Sequence, residues 1–424
     1  MRKIIVDASK DPLTSDILLA AQLRSVNDPW LPRLETFQCG EATGAFVPFV
    51  PLFLSPKTLK INIGFAEDSP TVATATLITK FPTLCPDLES IVLYGLPRDL
   101  VMIEAVSEVL LGCNRDALQV FCVCCPLTEE AREVVYRLPR LTRLWSVVQG
   151  PTSLPTVALP NLSLVGIEYD GDLNWLQGFR GATLGKPYSV HFESESDDIG
   201  DFLGAFERVA ITASAQNTLS GFGFYTSRSW NPNYSSLLSF NQLKDIVIEF
   251  SCEGGCSSRV DDDILVSLAR AMPKLEVLQL GCTPCKTPTG ITVNGLINLA
   301  CRCPHLLGLR IHFQATTLVE AATSATAPSP SDEPVIRRED CALTDLEVGR
   351  TPIPARSGST IAYMLLQIFP HILNIKYKNH EWKTVAGTVK DFRRINGFVD
   401  CSSKRPINPL TTDCNTLPGD AIDR

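Results

Sequence analysis

An apolar pattern of eight residues, Pro-x-Leu-x-x-(apolar)-x-(apolar), recurs along the chain, usually just after a helix-like stretch. Pro32 and Leu34 lead to Phe37 and Cys39, Pro86 and Leu88 to Ile91 and Leu93, and Pro160 and Leu162 to Val165 and Ile167. Pro273 and Leu275 lead to Leu278 and Leu280, Pro304 and Leu306 to Leu309 and Ile311, and Pro370 and Ile372 to Ile375 and Tyr377. Without the proline requirement, units headed by Leu118, Leu219, Leu243 and Leu343 join the series, and Thr58, Leu141 and Pro187 head three looser ones. The mean step is about 28 residues, near the upper end of the leucine-rich-repeat range. A repeat of this kind marks a solenoid, in which each unit buries its apolar face only against its neighbours.

Counting the repeat leucine as position one, the fourth and sixth positions lie two apart. On a strand they point the same way, into the core, and the third, fifth and seventh point outward. The segments between these strands read as helices. Thr128 can cap one that opens with Glu129 and Glu130 and carries Val134, Val135 and Leu138 on one face. Asp262 or Asp263 can cap the stretch holding Ile264, Leu268 and Met272, and Ser196-Asp197-Asp198 one holding Ile199, Phe202, Leu203 and Phe206. The expected fold is an α/β leucine-rich-repeat solenoid: a curved horseshoe with parallel strands on the concave face and helices on the convex face. Residues 1–33 read as an N-terminal capping segment and 34–395 as the solenoid. Residues 316–340 are low in complexity and read as a loop insertion, and 396–424 as a disordered tail.

Composition sharpens this picture. Of the 424 residues, 45% are apolar, enough for a large core, and the net charge of -8 argues against a nucleic-acid partner. The chain reaches Asp7 and Lys10 before any long apolar run, unlike a secretory signal. The most membrane-like stretch, 45–54, is too short to span and contains Pro48 and Pro51. These features predict a soluble protein of the cytoplasm or nucleus, with neither membrane nor nucleic acid among its partners. The 15 cysteines then read as reduced thiols, many of them small buried hydrophobes. Cys39 fills an inward slot, and Cys85 and Cys303 sit at helix ends before Pro86 and Pro304.

The steps Cys85-Pro86-Asp87-Leu88, Leu159-Pro160-Asn161-Leu162 and Cys303-Pro304-His305-Leu306 resemble the leucine-rich-repeat part of F-box proteins of mushroom-type fungi. Pro51–Pro56, Leu127–Arg132, Trp175–Gly181 and Asp340–Leu346 are weaker echoes, and the resemblance covers roughly residues 30–395. It implies a non-enzymatic protein similar to the substrate-recognition part of an SCF-type ubiquitin ligase. In that family an F-box precedes the repeats and docks on a Skp-type adaptor. Only 33 residues precede Leu34, too few for that module, so adaptor binding is expected only if an F-box is supplied elsewhere. A free-standing scaffold is the alternative.

Other chemistry is thin. Cys252, Cys256, Cys282 and Cys285 follow strands of adjacent units, where four thiols would suit structural zinc, but they lack a full motif and read as loop and core cysteines. The expectation is no metal and no cofactor, with a zinc-stabilised protein or enzyme as the remaining alternative. Gly281–Thr287 lacks the second glycine of a phosphate loop. Asp261-Asp262-Asp263 is explained by helix capping rather than calcium. His305 and His371 follow repeat prolines and His380 lies beyond the last strand. His191 and His312 are several units apart, so no catalytic set assembles. The candidates for protein binding are outward strand residues: Tyr94, Trp145, Glu168, His191, Glu193, Tyr225, Asp245, Glu249, Gln279, Arg310 and His312. Aromatics and arginine are typical interface anchors, and the central carboxylates favour a basic protein substrate.

Overall fold

The computed structural model describes residues 2–6, 29–67, 69–149, 161–170, 188–194, 199, 201–212, 217–228, 230, 232–250, 260–282, 290–323 and 340–395. The repeat phrase forms a tight turn feeding a strand. The Leu34 N–H donates to the Leu31 carbonyl at 3.0 Å, Leu275 to Met272 at 3.2 Å, Leu306 to Cys303 at 3.2 Å and Ile372 to Phe369 at 3.2 Å. In each, proline holds the second position, where its fixed φ suits a type I or II turn. The residue before proline is pushed out of the helical region. Cys85 (φ -135, ψ 74), Met272 (φ -129, ψ 68), Cys303 (φ -116, ψ 75) and Phe369 (φ -127, ψ 80) share one non-helical geometry and each ends a helix. All four side chains are buried, as are the repeat leucines Leu88, Leu162, Leu243, Leu275 and Leu306.

Strands of successive units pair in sequence order into one 14-stranded sheet. They are β1 (Lys3–Val6), β2 (Thr36–Ala42), β3 (Lys60–Phe65), β4 (Ser90–Tyr94), β5 (Val120–Pro126), β6 (Arg143–Gln149) and β7 (Leu164–Asp170). Then come β8 (Tyr188–Ser194), β9 (Leu219–Thr226), β10 (Asp245–Phe250), β11 (Val277–Cys282), β12 (Gly308–Ile311), β13 (Asp345–Glu347) and β14 (Asn374–Lys376). All pairings are parallel, and the register is the one the phrase dictates: Ile246 opposite Leu278 opposite Leu309 opposite Leu346 opposite Ile375. Thr58, in the leucine slot of a loose unit, is buried and donates to the Leu34 carbonyl at 3.1 Å, which satisfies its hydroxyl.

The connecting helices are α1 (Thr71–Thr79), α2 (Phe81–Leu84), α3 (Leu100–Gly112), α4 (Glu129–Val135), α5 (Phe202–Thr212), α6 (Asp262–Ala271), α7 (Val293–Arg302), α8 (Ala315–Thr323), α9 (Gly358–Ile368) and α10 (Trp382–Ile395). Short 3-10 helices replace them at Val47–Leu52 and Tyr234–Ser239. Inward strand residues and the buried faces of the helices form one apolar cluster running from Leu34 to Val389. This is an α/β leucine-rich-repeat solenoid, held unit to unit.

Four details differ from expectation or sharpen it. The segment before Leu34 contributes a strand: β1 pairs with β2, placing Ile4 beside Phe37 and Val6 beside Cys39. Helix α6 is capped by Asp261, which accepts from the Ile264 N–H, rather than by Asp262 or Asp263. Asp262 instead accepts from the Thr292 N–H (2.8 Å) and hydroxyl (2.5 Å), tying α6 to the start of α7. The stretch read as a loop from 316 opens with α8. Residues 324–339, the tail 396–424, Ser196-Asp197-Asp198, Pro187 and the thiols Cys252, Cys256 and Cys285 lie outside the described residues.

Candidate protein-binding face

The outward positions form continuous rows across the sheet. The fifth positions run Trp145, Gly166, His191, Gly223, Val247, Gln279, Arg310, Glu347, Lys376 on paired residues from β6 to β14. The seventh run Val147, Glu168, Glu193, Tyr225, Glu249, Gly281 from β6 to β11. Tyr94 occupies the same row on β4, and His312 follows β12. The eleven candidates therefore share one face, spread over eight of the nine strands from β4 to β12 rather than gathered at a point.

A glycine lies beside four of these rings. A Cβ at Gly64 would overlap the ring of Tyr94, one at Gly166 the indole of Trp145, one at Gly223 the imidazole of His191, and one at Gly349 the imidazole of His312. A missing side chain in one strand lets the neighbour's ring lie flat on the backbone. Tyr94 reaches beyond Gly64 and donates its hydroxyl to the Gly40 carbonyl at 2.9 Å. His191 also stacks on Tyr225, with centroids 6.3 Å apart and planes 11° apart. Trp145 is only 8% exposed, and its indole N–H has no hydrogen-bond partner among the described residues. It covers the sheet as a packed residue.

The carboxylates are held within the chain as well. Glu168 is 4% exposed and paired with Arg98, from the loop after β4. Glu249 pairs with Arg310, whose Nε also lies 3.1 Å from Glu347. Two acids expected to attract a basic partner are thus compensated within the chain. Burial, with the neighbouring Glu347 carboxylate, raises the Glu249 pKa against the lowering effect of Arg310. Burial and the charge of Glu276 push Asp245 up to about 6. Burial pulls His191 down to about 4; burial, Arg310 and Lys378 do the same to His312. Both imidazoles are therefore neutral near pH 7. Tyr225, Gln279, His191 and Arg310 remain partly accessible.

Sequence reasoning missed Arg98 and the glycines. The glycines carried a signal: each occupies an outward slot at the height of an aromatic in the adjacent unit. Arg98 carried none, because it lies in a connecting loop 70 residues from Glu168. Among the described residues, no group of three or more His, Cys, Asp or Glu side chains is gathered as a metal site. No described helix is long and apolar enough to cross a membrane.

No family model matches the chain, and no curated protein matches it. Among solved structures, a chain in the crystal structure of the yeast Rad7 and Elc1 complex is similar. Its TM-score is 0.44 at 11% identity, over 85% of this chain and 81% of that one. The fold assignment rests on the strand order and register of the chain itself.

Proposed function

We propose that this protein binds a protein partner across the outward sheet face over β8–β12, as the substrate-recognition part of an F-box-type ubiquitin ligase. The observation that carries the binding role is the pair of unbroken rows of outward residues, which offer aromatic, amide and guanidinium groups on a rigid parallel sheet. Strands spaced about 4.8 Å apart put these rows over roughly 20 Å, a span that suits a polypeptide surface better than a small molecule. With Glu168 and Glu249 paired internally, recognition rests on Tyr225, His191 and Gln279 more than on net charge. The ligase role rests on the resemblance of the repeat steps. A free-standing scaffold with the same binding face is the second reading.

Affinity capture and mass spectrometry identify the partner, and its affinity is then measured with purified proteins. Tyr225→Ala and Gln279→Ala should each weaken it at least tenfold, as for anchors in other interfaces. Glu129→Ala, on the exposed side of α4, should not. Equal affinity in all three variants rejects the face. Stoichiometric retention on a purified Skp-type adaptor supports the ligase role, whereas partner binding without adaptor binding favours the scaffold.

A further inference from the structure

The last unit carries features that the outward face does not use. In β14, Asn374 and Lys376 are the residues bonded to β13: the Asn374 N–H donates to Thr344 at 2.9 Å, and the Lys376 carbonyl accepts from Val348 at 3.0 Å. In a parallel ladder alternate residues turn their backbone groups to the opposite side. The N–H and carbonyl groups of Ile375 and Tyr377 therefore face the open edge, which no other described strand covers. Tyr377, in an inward slot of the phrase, is 37% exposed, and among the described residues no following unit packs on it.

The same unit is basic. Residues 371–395 contain six lysines and arginines against two acids, in a chain whose net charge is -8. Lys383, Lys390 and Arg394 are exposed and recur at helical spacing along one stripe of α10. Arg393 folds over the strand start and donates to the Ile372 carbonyl at 2.6 Å, which ties this helix to the β14 end of the sheet. Lys376 and Lys378 are exposed beside the edge. Lysines on an edge strand also discourage self-pairing, but that role does not extend to the stripe on α10.

We propose that this end of the solenoid docks an extended acidic segment of another protein, its backbone pairing with the β14 edge and its carboxylates meeting Lys376, Lys378 and the α10 stripe. The free edge decides the class of partner. Its backbone donors and acceptors are matched by a peptide backbone, and neither a nucleic acid nor a lipid headgroup supplies that ladder. Lys376 ends the outward fifth-position row, but the site lies beyond the β8–β12 face and stands or falls separately.

The test uses the full chain and a fluorescein-labelled ten-residue peptide alternating Glu and Val, followed by fluorescence anisotropy. A Lys/Val peptide, single-stranded DNA and vesicles of phosphatidylserine with phosphatidylcholine serve as comparison ligands. The acidic peptide should bind and the Lys/Val peptide should not. The triple variant Lys383→Gln, Lys390→Gln, Arg394→Gln should weaken binding at least tenfold and flatten its salt dependence. Tyr377→Pro, which removes one edge N–H, should weaken it in a salt-independent way. No binding of the acidic peptide, unchanged affinity in both variants, or tighter binding to DNA or vesicles with no effect of Tyr377→Pro would each overturn the proposal.

Discussion

Leu278 has no exposed surface. Leu278→Asp places an unpaired charge in the core, at a cost of several kcal/mol; circular dichroism should show its unit unfolded at temperatures where the parent is folded. The direction of Leu278 followed from spacing alone, because a strand alternates sides. How Trp145 lies did not, because that depends on a glycine in the next unit. Gly166→Val must displace the indole and should destabilise by about 1–3 kcal/mol, read from urea unfolding together with a shift in tryptophan emission. The outward slot of Glu168 reads as an exposed acid, but Arg98 lies beside it. Arg98→Met removes the charge paired with that buried carboxylate and should cost about 3 kcal/mol, with the Arg98→Met/Glu168→Met double variant recovering much of the loss. Acid should also weaken the fold. His191 has a folded pKa near 4 against an ordinary 6.5, so between those values the unfolded chain binds more protons. Stability from this group is full above pH 6.5 and is lost as pH falls toward 4. Asp245, raised from 3.8 to about 6, works the other way and loses stability as pH rises through that window. His191→Gln should therefore reduce the fall in melting temperature between pH 6.5 and 4, and Asp245→Asn should deepen it.

Among the elements, the strands after the first were legible because each is announced by its turn. Proline both ends the helix before it and presets the turn into the strand, so one residue reports two boundaries. The first strand was not legible: Lys3–Val6 has no proline and no repeat leucine before it, and its alternation of Ile4 and Val6 gains meaning only beside Phe37 and Cys39. Helix starts were half legible. Thr128 caps α4 as its sequence suggests, its side chain accepting from the Ala131 N–H. In the run Asp261-Asp262-Asp263 any member fits the capping pattern, and the choice falls on Asp261 because Asp262 is held by Thr292 of the next unit. Asp261→Ala should lower stability by about 1 kcal/mol, a usual cap value. Asp262→Ala should lose the link between α6 and α7, which hydrogen exchange at the Thr292 amide reports directly.

At the scale of the molecule, each unit touches mainly its neighbours, so the outward face is a consequence of stacking and needs no separate design. Repeat spacing revealed that face, and outward parity named the eleven residues on it. Spacing did not reveal which of them stay accessible, because ion pairs and glycine-backed rings form between units and leave no mark on the phrase. The central claim is that a protein partner lies on this face and not on the helices. Site-specific photo-crosslinking tests it most directly. A benzophenone amino acid is placed at Tyr225 or Gln279 on the sheet face, and at Glu130 or Thr76 on exposed helix positions, each in the folded full chain bound to the captured partner. The account predicts covalent adducts with the partner from Tyr225 and Gln279 and none from Glu130 or Thr76. Adducts from the helix positions alone would contradict it.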